Sequence, residues 1–358
     1  SFWMFGVVAA LSSWEELVRN FLTAQEELER SGKEDPLKTV INVDLAEPYI
    51  PKALQEVKTL NAEVLRDRAK KETYKLGTVP DGVRFLIATV DTQGNRFEVK
   101  VEGWGEWGEN WTIDYFQIFK PEKGDRMLDP TQFAEDWDLL IGRVALKVYP
   151  LADGSDRGMP ILITGIDMHG AAGASDQAYS FWRRAKAKGF RNKIRLLRGD
   201  PKLKHERWRE TYPDSQRKDR KAISRGEVPV IGLNSNTLKN EVFVSLLKAE
   251  VGPGYRHHPK ELIEDKILNY FDQLTAEELV DGIWKKIRAR NEATDLSYYS
   301  RGLWLFKKCD RIKWDETVPA FAKPWDENPT LIPLKQGATG DQLAGPPKER
   351  RKLSSLLA

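Results

Sequence analysis

Cysteine is almost missing from these 358 residues: Cys309 stands alone. One thiol forms no internal disulfide and no thiolate metal cage, a composition that suits a reducing compartment. No run of about 18 apolar residues occurs. The opening stretch Ser1 to Leu11 is too short, and too poor in basic residues before its apolar part, for an export signal. Membrane insertion and export are therefore not expected. Excess charge is small, 57 Lys and Arg against 54 Asp and Glu for a net +3, too mild to argue for nucleic acid by itself. No Gly-x-x-x-x-Gly-Lys-Ser/Thr phosphate loop is present, Gly252-Pro253-Gly254 included, so ATP hydrolysis is not expected of this chain. No internal repeat is visible. The chain opens on Ser1-Phe2-Trp3-Met4-Phe5-Gly6, a hydrophobic phrase that suggests a piece of something longer.

What is present divides into three parts. Hydrophobic residues make up 40% of the chain, and one catalytic domain with flanking material is the expectation. Ser13 is placed to cap a helix, with Glu16 three residues on as in a capping box and Leu17, Phe21 and Leu28 on one face. That helix should reach about Ser31. Prolines break the stretch from Lys33 to Pro51, and Lys52 to Lys71 reads as a second, charged helix with Leu54, Leu60 and Leu65. Residues 1–80 are thus read as a helical connector and 81–312 as the catalytic domain. Residues 313–358, rich in Pro, Gly and Lys beyond Trp314, are read as a flexible tail.

Within the central part, Phe85 to Val90 is a continuous apolar run ending at Asp91, the length of a buried strand. Phe97, Val99 and Val101 alternate with Glu98, Lys100 and Glu102, as in a strand with one wet face. Thr112 to Phe119 makes a third hairpin-connected strand. A helix from Thr131 to about Leu146, the strand Ile161 to Ile166 ending in Asp167, a helix from Ser175 to Lys188 and the strand Lys193 to Leu197 follow. This βββαβαβ order implies an α/β fold: a mixed sheet, three antiparallel strands then parallel ones, flanked by helices. Another strand, Val228 to Leu233, a helix from Ser235 to Leu247 and a closing helix from Asn291 to Lys308 complete the pattern.

Two apolar strands end in aspartates, Asp91 and Asp167, and such ends converge at one edge of a parallel sheet. A third acid, Asp295, lies on the closing helix with Glu292 a turn earlier on nearly the same face. Acids gathered in this way repel one another unless cations sit between them. Two divalent ions, Mg or Mn, would resolve that repulsion and would activate water against a phosphodiester. The ordinary role of any single aspartate after a strand is to form a turn or cap a helix, so the functional reading requires all three to meet.

Several phrases resemble one family. Ser1-Phe2-Trp3-Met4, Leu45-Ala46-Glu47-Pro48, Thr89-Val90-Asp91-Thr92-Gln93-Gly94-Asn95-Arg96, Gly103-Trp104-Gly105 with Trp111, Gln273-Leu274-Thr275-Ala276-Glu277-Glu278 and Arg290-Asn291-Glu292-Ala293-Thr294-Asp295 together resemble the lambda-type phage terminase large subunits, from Ser1 to about Phe306. The resemblance implies an RNase H-like nuclease domain following an ATPase domain that would lie N-terminal to Ser1. It implies cutting of concatemeric double-stranded DNA during genome packaging in the host cytoplasm, with two divalent cations. Portal protein and a small terminase subunit are the implied partners. Asp91 matches the first-strand catalytic aspartate. Asp167 matches a second acid that relatives carry in an Asp-Thr-Gly-Gly phrase, from which Asp167-Met168-His169-Gly170 departs. Asp295 or Glu292 matches the acid on the closing helix, Asp295 being preferred. Lys239 falls where relatives carry a lysine in a Thr-Ala-Lys phrase, either contacting phosphate or on a solvated helix face. RNase H-like chemistry would leave a 3′ hydroxyl and a 5′ phosphate, with little sequence preference.

Basic residues crowd the stretch from Arg183 to Arg225, with Trp182, Trp208 and Tyr212 interleaved. Arg198, Lys202, Lys204, Arg207, Arg217 and Lys218 are candidates for a phosphate-facing surface, although charge runs are commonly solvated loops. His169, beside Asp167, is a possible ligand or proton donor. His257 and His258, adjacent and so pointing apart, suit packing better than a shared metal. Trp104, Trp107 and Trp111 suit packing better than base stacking. Two alternatives stay open on the residues alone: another RNase H-like nuclease such as a resolvase or transposase, or a non-catalytic module docking DNA or portal.

Overall fold

The computed structural model describes residues 13–32, 34–49, 60–122, 125–169, 173–200, 202–213, 226–265, 267–280 and 282–334. Helix α1 (Trp14–Ser31) starts where expected, the Ser13 side chain accepting from the Glu16 amide at 3.2 Å, which satisfies one of the free N–H groups of the first turn. Short helices α2 (Asp35–Thr39) and α3 (Ala62–Ala69) follow. The rest of the expected 52–71 helix, Leu54 included, lies largely outside the described residues, as do Ser1 to Met4, Arg217, Lys218 and residues 335–358.

The central unit then runs β1 (Phe85–Thr92), β2 (Phe97–Trp104), β3 (Asn110–Ile118), α4 (Ala134–Leu140), β4 (Val148–Pro150), β5 (Arg157–Asp167), α5 (Ala174–Ala187) and β6 (Ile194–Gly199). It continues through β7 (Trp208–Thr211), β8 (Val230–Leu233), α6 (Ser235–Leu247), β9 (Arg256–His257), α7 (Glu261–Glu264) and α8 (Tyr270–Leu274). A separate hairpin, β10 (Glu277–Val280) with β11 (Ile283–Lys286), precedes α9 (Glu292–Phe306), and β12 (Ile332–Pro333) closes the described chain. Among the described residues ten strands form one sheet, ordered β7-β8-β6-β5-β1-β2-β3-β9 with β4 and β12 on β5. The β1, β2 and β3 meander is antiparallel, while β1, β5, β6 and β8 run parallel. This is the mixed α/β arrangement expected of an RNase H-like core. The charged segment after Arg198 adds an unforeseen edge strand, β7, antiparallel to β8.

Side chains alternate across each strand, and that alternation divides the core. Leu86, Ala88 and Val90 of β1 join Trp137, Phe181 and Trp182 on one face, under α4 and α5. Phe85 and Ile87 join Ile163, Leu197, Ile231, Leu296 and Leu303 on the other, under α6 and α9. By the same count Thr89 and Asp91 look toward α9, and the Thr89 hydroxyl donates to the Leu296 carbonyl at 3.1 Å. Two glycines let α9 come this close. A Cβ on Gly165 of β5 would lie 2.6 Å from Leu303, and one on Gly302 would lie 2.6 Å from Leu233, distances that side chains do not tolerate.

Two expectations need correction. The polar face of β2 is not wet: Glu98, Lys100 and Glu102 are buried, because α9 covers the face on which a wet strand was expected. They survive burial by pairing. Lys100 meets Glu102 at 2.7 Å and donates to Ser297 at 2.7 Å, while Arg256 meets Glu102 at 2.9 Å. Nor are residues 313–334 a flexible tail. The Trp325 indole donates to the Val83 carbonyl at 2.7 Å, Asn328 donates to the Arg84 carbonyl at 3.1 Å, and Phe321 packs edge-on against Phe85. Composition mistook a docked strap for a tail because its contacts are long-range. Among the described residues no helix is long and apolar enough to cross a membrane.

The close seat of α9 generates a test. Gly165→Val should lower stability by about 1–3 kcal/mol, the usual cost of overpacking, as read from denaturant midpoints. A variant as stable as the parent would show that α9 does not rest on that glycine.

Candidate active site

The site lies at the carboxyl ends of β1 and β5. Their parallel register pairs Val90 with Ile166, so the next residues, Asp91 and Asp167, emerge side by side on the face beneath α9. Both are more than nine-tenths buried. Thr92 ties the two strand ends by donating to the Asp167 carbonyl at 2.7 Å. Tyr299, one helical turn beyond Asp295 on α9, donates to Asp167 Oδ2 at 2.9 Å, and the His169 amide donates to Oδ1 at 3.1 Å. Gln93 holds Oδ2 of Asp91. Among the described residues no Lys, Arg or His forms an ion pair with Asp91 or Asp167.

Electrostatics follows from that placement. Burial, then the charges of Asp167 and Asp295, push the Asp91 carboxyl well above the usual carboxylate range. Burial pushes Asp167 up to about 7 even though the His169 amide and the Tyr299 hydroxyl favour its charged form. Asp295 is raised chiefly by burial, against the pull of Lys239. The three expected acids thus share one electrostatic site. Among the described residues, however, no three His, Cys, Asp or Glu side chains are arranged to hold a metal ion. Asp295 is drawn instead to Lys239, whose ammonium stands 2.9 Å from Asp295 Oδ1 and 2.7 Å from both Glu277 oxygens.

Asp295 and Glu292 differ in their partners. Glu292 faces Arg96 and Arg290, each at 3.3 Å, and shares both arginines with the buried Glu98. It belongs to an ion-pair network beside the cluster. Lys239 is not on a solvated face: its side chain is only 12% exposed and its ammonium is taken up by acids. Arg207 is likewise committed, to Glu241. Arg198 is half-buried near Asp200, and Lys202 and Lys204 are exposed. His169 is exposed beside Asp167, and burial together with Arg198 lowers its proton affinity, so its ring is neutral near pH 7. His257 bridges Glu72 and Glu109, and His258 is buried against Thr112 and Tyr270.

Sequence reasoning missed Glu277, Tyr299, Gln93 and Asn291. Tyr299 was detectable as the residue four beyond Asp295. Glu277 stood inside a quoted phrase, but nothing in a single sequence joins it to Lys239.

The family model for "Terminase large subunit gpA, endonuclease domain" matches residues 1–314. The chain belongs to that family. It is 25% identical over 316 residues to the terminase large subunit of Escherichia phage lambda, a match covering 84% of this chain and 42% of the relative. Its likeness to the terminase large subunit of Enterobacteria phage P21 is 25% over 355 residues, covering 94% of this chain and 48% of the relative. The chain therefore spans less than half the length of either terminase. No solved structure matches the chain.

Raised carboxyls make cation-free stability pH-dependent. The folded state binds protons more tightly than the unfolded chain, so the contribution of Asp167 is fully present below the ordinary carboxylate range and is lost as pH rises through about 7. In EDTA the thermal midpoint should fall between pH 5 and pH 8. Asp91→Asn should raise the pH 8 midpoint by roughly 2–4 °C, the scale of 1 kcal/mol for a domain of this size. A flat profile in EDTA would contradict the buried repulsion.

Proposed function

We propose that this domain is a metal-dependent endonuclease that cuts concatemeric double-stranded DNA during phage genome packaging. The observation that carries the reading is the convergence of Asp295 with Asp91 and Asp167, two buried carboxylates that no described cationic side chain pairs with. Their chemistry suits hard divalent cations, which prefer oxygen ligands and keep water positions open. Asp91 and Asp167 would hold them, with Asp295 joining from α9. Two bound Mg or Mn ions supply charge that activates water and stabilises the leaving oxygen of a phosphodiester.

The chain's own residues do the rest. Tyr299 and the His169 amide orient Asp167, and Gln93 orients Asp91, so neither carboxylate has to be ordered when substrate arrives. His169, neutral and exposed at the edge of the cluster, is placed to accept a proton. Arg198, Lys202 and Lys204 continue from β6 and would meet DNA backbone phosphates; such contacts position a duplex without reading its sequence. An ATPase domain, a small terminase subunit and portal protein are the partners this role calls for, in the host cytoplasm.

Nicking of supercoiled plasmid in Mn tests the reading. The parent chain should cut, and Asp91→Ala and Asp167→Ala should each lose roughly 10²-fold or more, the scale of removing one electrostatic stabiliser, with circular dichroism unchanged. Glu292→Gln should lose far less. A parent chain that binds plasmid but never cuts it would make this a docking module instead. Independently, Lys202→Ala with Lys204→Ala should flatten the salt dependence of plasmid binding by about two phosphate contacts. An unchanged slope would remove that surface from the DNA path.

A further inference from the structure

Among the described residues Lys239 is the cation paired with Asp295. Its ammonium touches both oxygens of Glu277 at 2.7 Å and Oδ1 of Asp295 at 2.9 Å. The Tyr298 ring lies 5.2 Å beneath it. Asn291 bridges the two acids, donating to Glu277 Oε1 at 2.5 Å and to Asp295 Oδ2 at 2.9 Å. Glu277 is itself anchored: it opens the β10–β11 hairpin, whose Trp284 indole donates at 2.7 Å to Asn240, the neighbour of Lys239 on α6. An ammonium is a compact point charge with three donors, and here one such charge is shared between a member of the acid cluster and a carboxylate outside it.

We propose that Lys239 is a resident counter-cation of the acid cluster, and that Glu277 is a positioning residue that receives its ammonium when a divalent cation takes Asp295. The inference rests on the reading that the cluster binds divalent cations. Without such an ion, Lys239 is the nearest charge that balances Asp295. A divalent ion at Asp295 repels the ammonium at short range. The ammonium does not have to go into water, because Glu277 already holds it through both oxygens. Cation binding is then an exchange of partners at Asp295, and Lys239 opposes it while Glu277 assists it. A phosphate contact, one of the two roles expected of Lys239, requires its ammonium to leave the two acids.

Titration calorimetry with Mn on the full chain tests this, with thermal midpoints in EDTA as a second readout. Lys239→Met should bind Mn about tenfold or more tightly than the parent and melt at lower temperature in EDTA. Glu277→Gln should bind about tenfold more weakly, because the ammonium then has only Asp295. The double variant should bind as tightly as Lys239→Met, since Glu277 acts through the lysine. Lys239→Met binding no tighter than the parent would overturn the proposal, as would a double variant as weak as Glu277→Gln, which would make Glu277 a ligand. A parent chain that takes up no Mn would overturn the underlying cation reading as well.

Discussion

Negative charge confined at the end of a parallel strand pair is the constraint on which the rest of this molecule turns. Asp91 and Asp167 leave β1 and β5 in register, and α9 closes over them with Asp295. In such surroundings each carboxylate raises the proton affinity of its neighbours, because water no longer screens them. Tyr299, Gln93 and the His169 amide fix where the carboxyl groups point without cancelling their charge. An arrangement of this kind costs stability, and costs of this kind concentrate at functional sites.

The scaffold is built to hold α9 against the sheet. Gly165 and Gly302 remove the side chains that would keep helix and strands apart. The buried polar row on β2 supplies the lateral fit, with Lys100 bonded to Ser297 and the Trp104 indole donating to Ser300 at 3.1 Å. These bonds specify which turn of α9 lies over which strand, and so where Asp295 meets the strand ends. Glu292, one turn earlier, is diverted to Arg96 and Arg290. The same helix therefore gives its two acids different partners, arginines for Glu292 and Lys239 for Asp295.

Much of this was legible in one sequence, for physical reasons. Continuous apolar runs ending in Asp91 and Asp167 announce buried parallel strands, because both faces of such strands are covered. Ser13 and Glu16 mark a helix start because capping is local. What stayed hidden depends on contacts distant in the chain. Alternation of Glu98, Lys100 and Glu102 looks the same whether the polar face meets water or α9. The strap from 313 to 334 has loop composition, and its anchors on Val83 and Arg84 lie more than two hundred residues away in the chain. Lys239 and Glu277 are each unremarkable alone; only folding makes them partners.

Anomalous scattering from crystals of the chain grown with Mn interrogates the confined charge most directly. Mn peaks are expected between the carboxylates of Asp91 and Asp167, with Asp295 turned toward them. Crystals saturated with Mn in which these acids bind none would contradict the claim that the cluster exists to hold cations.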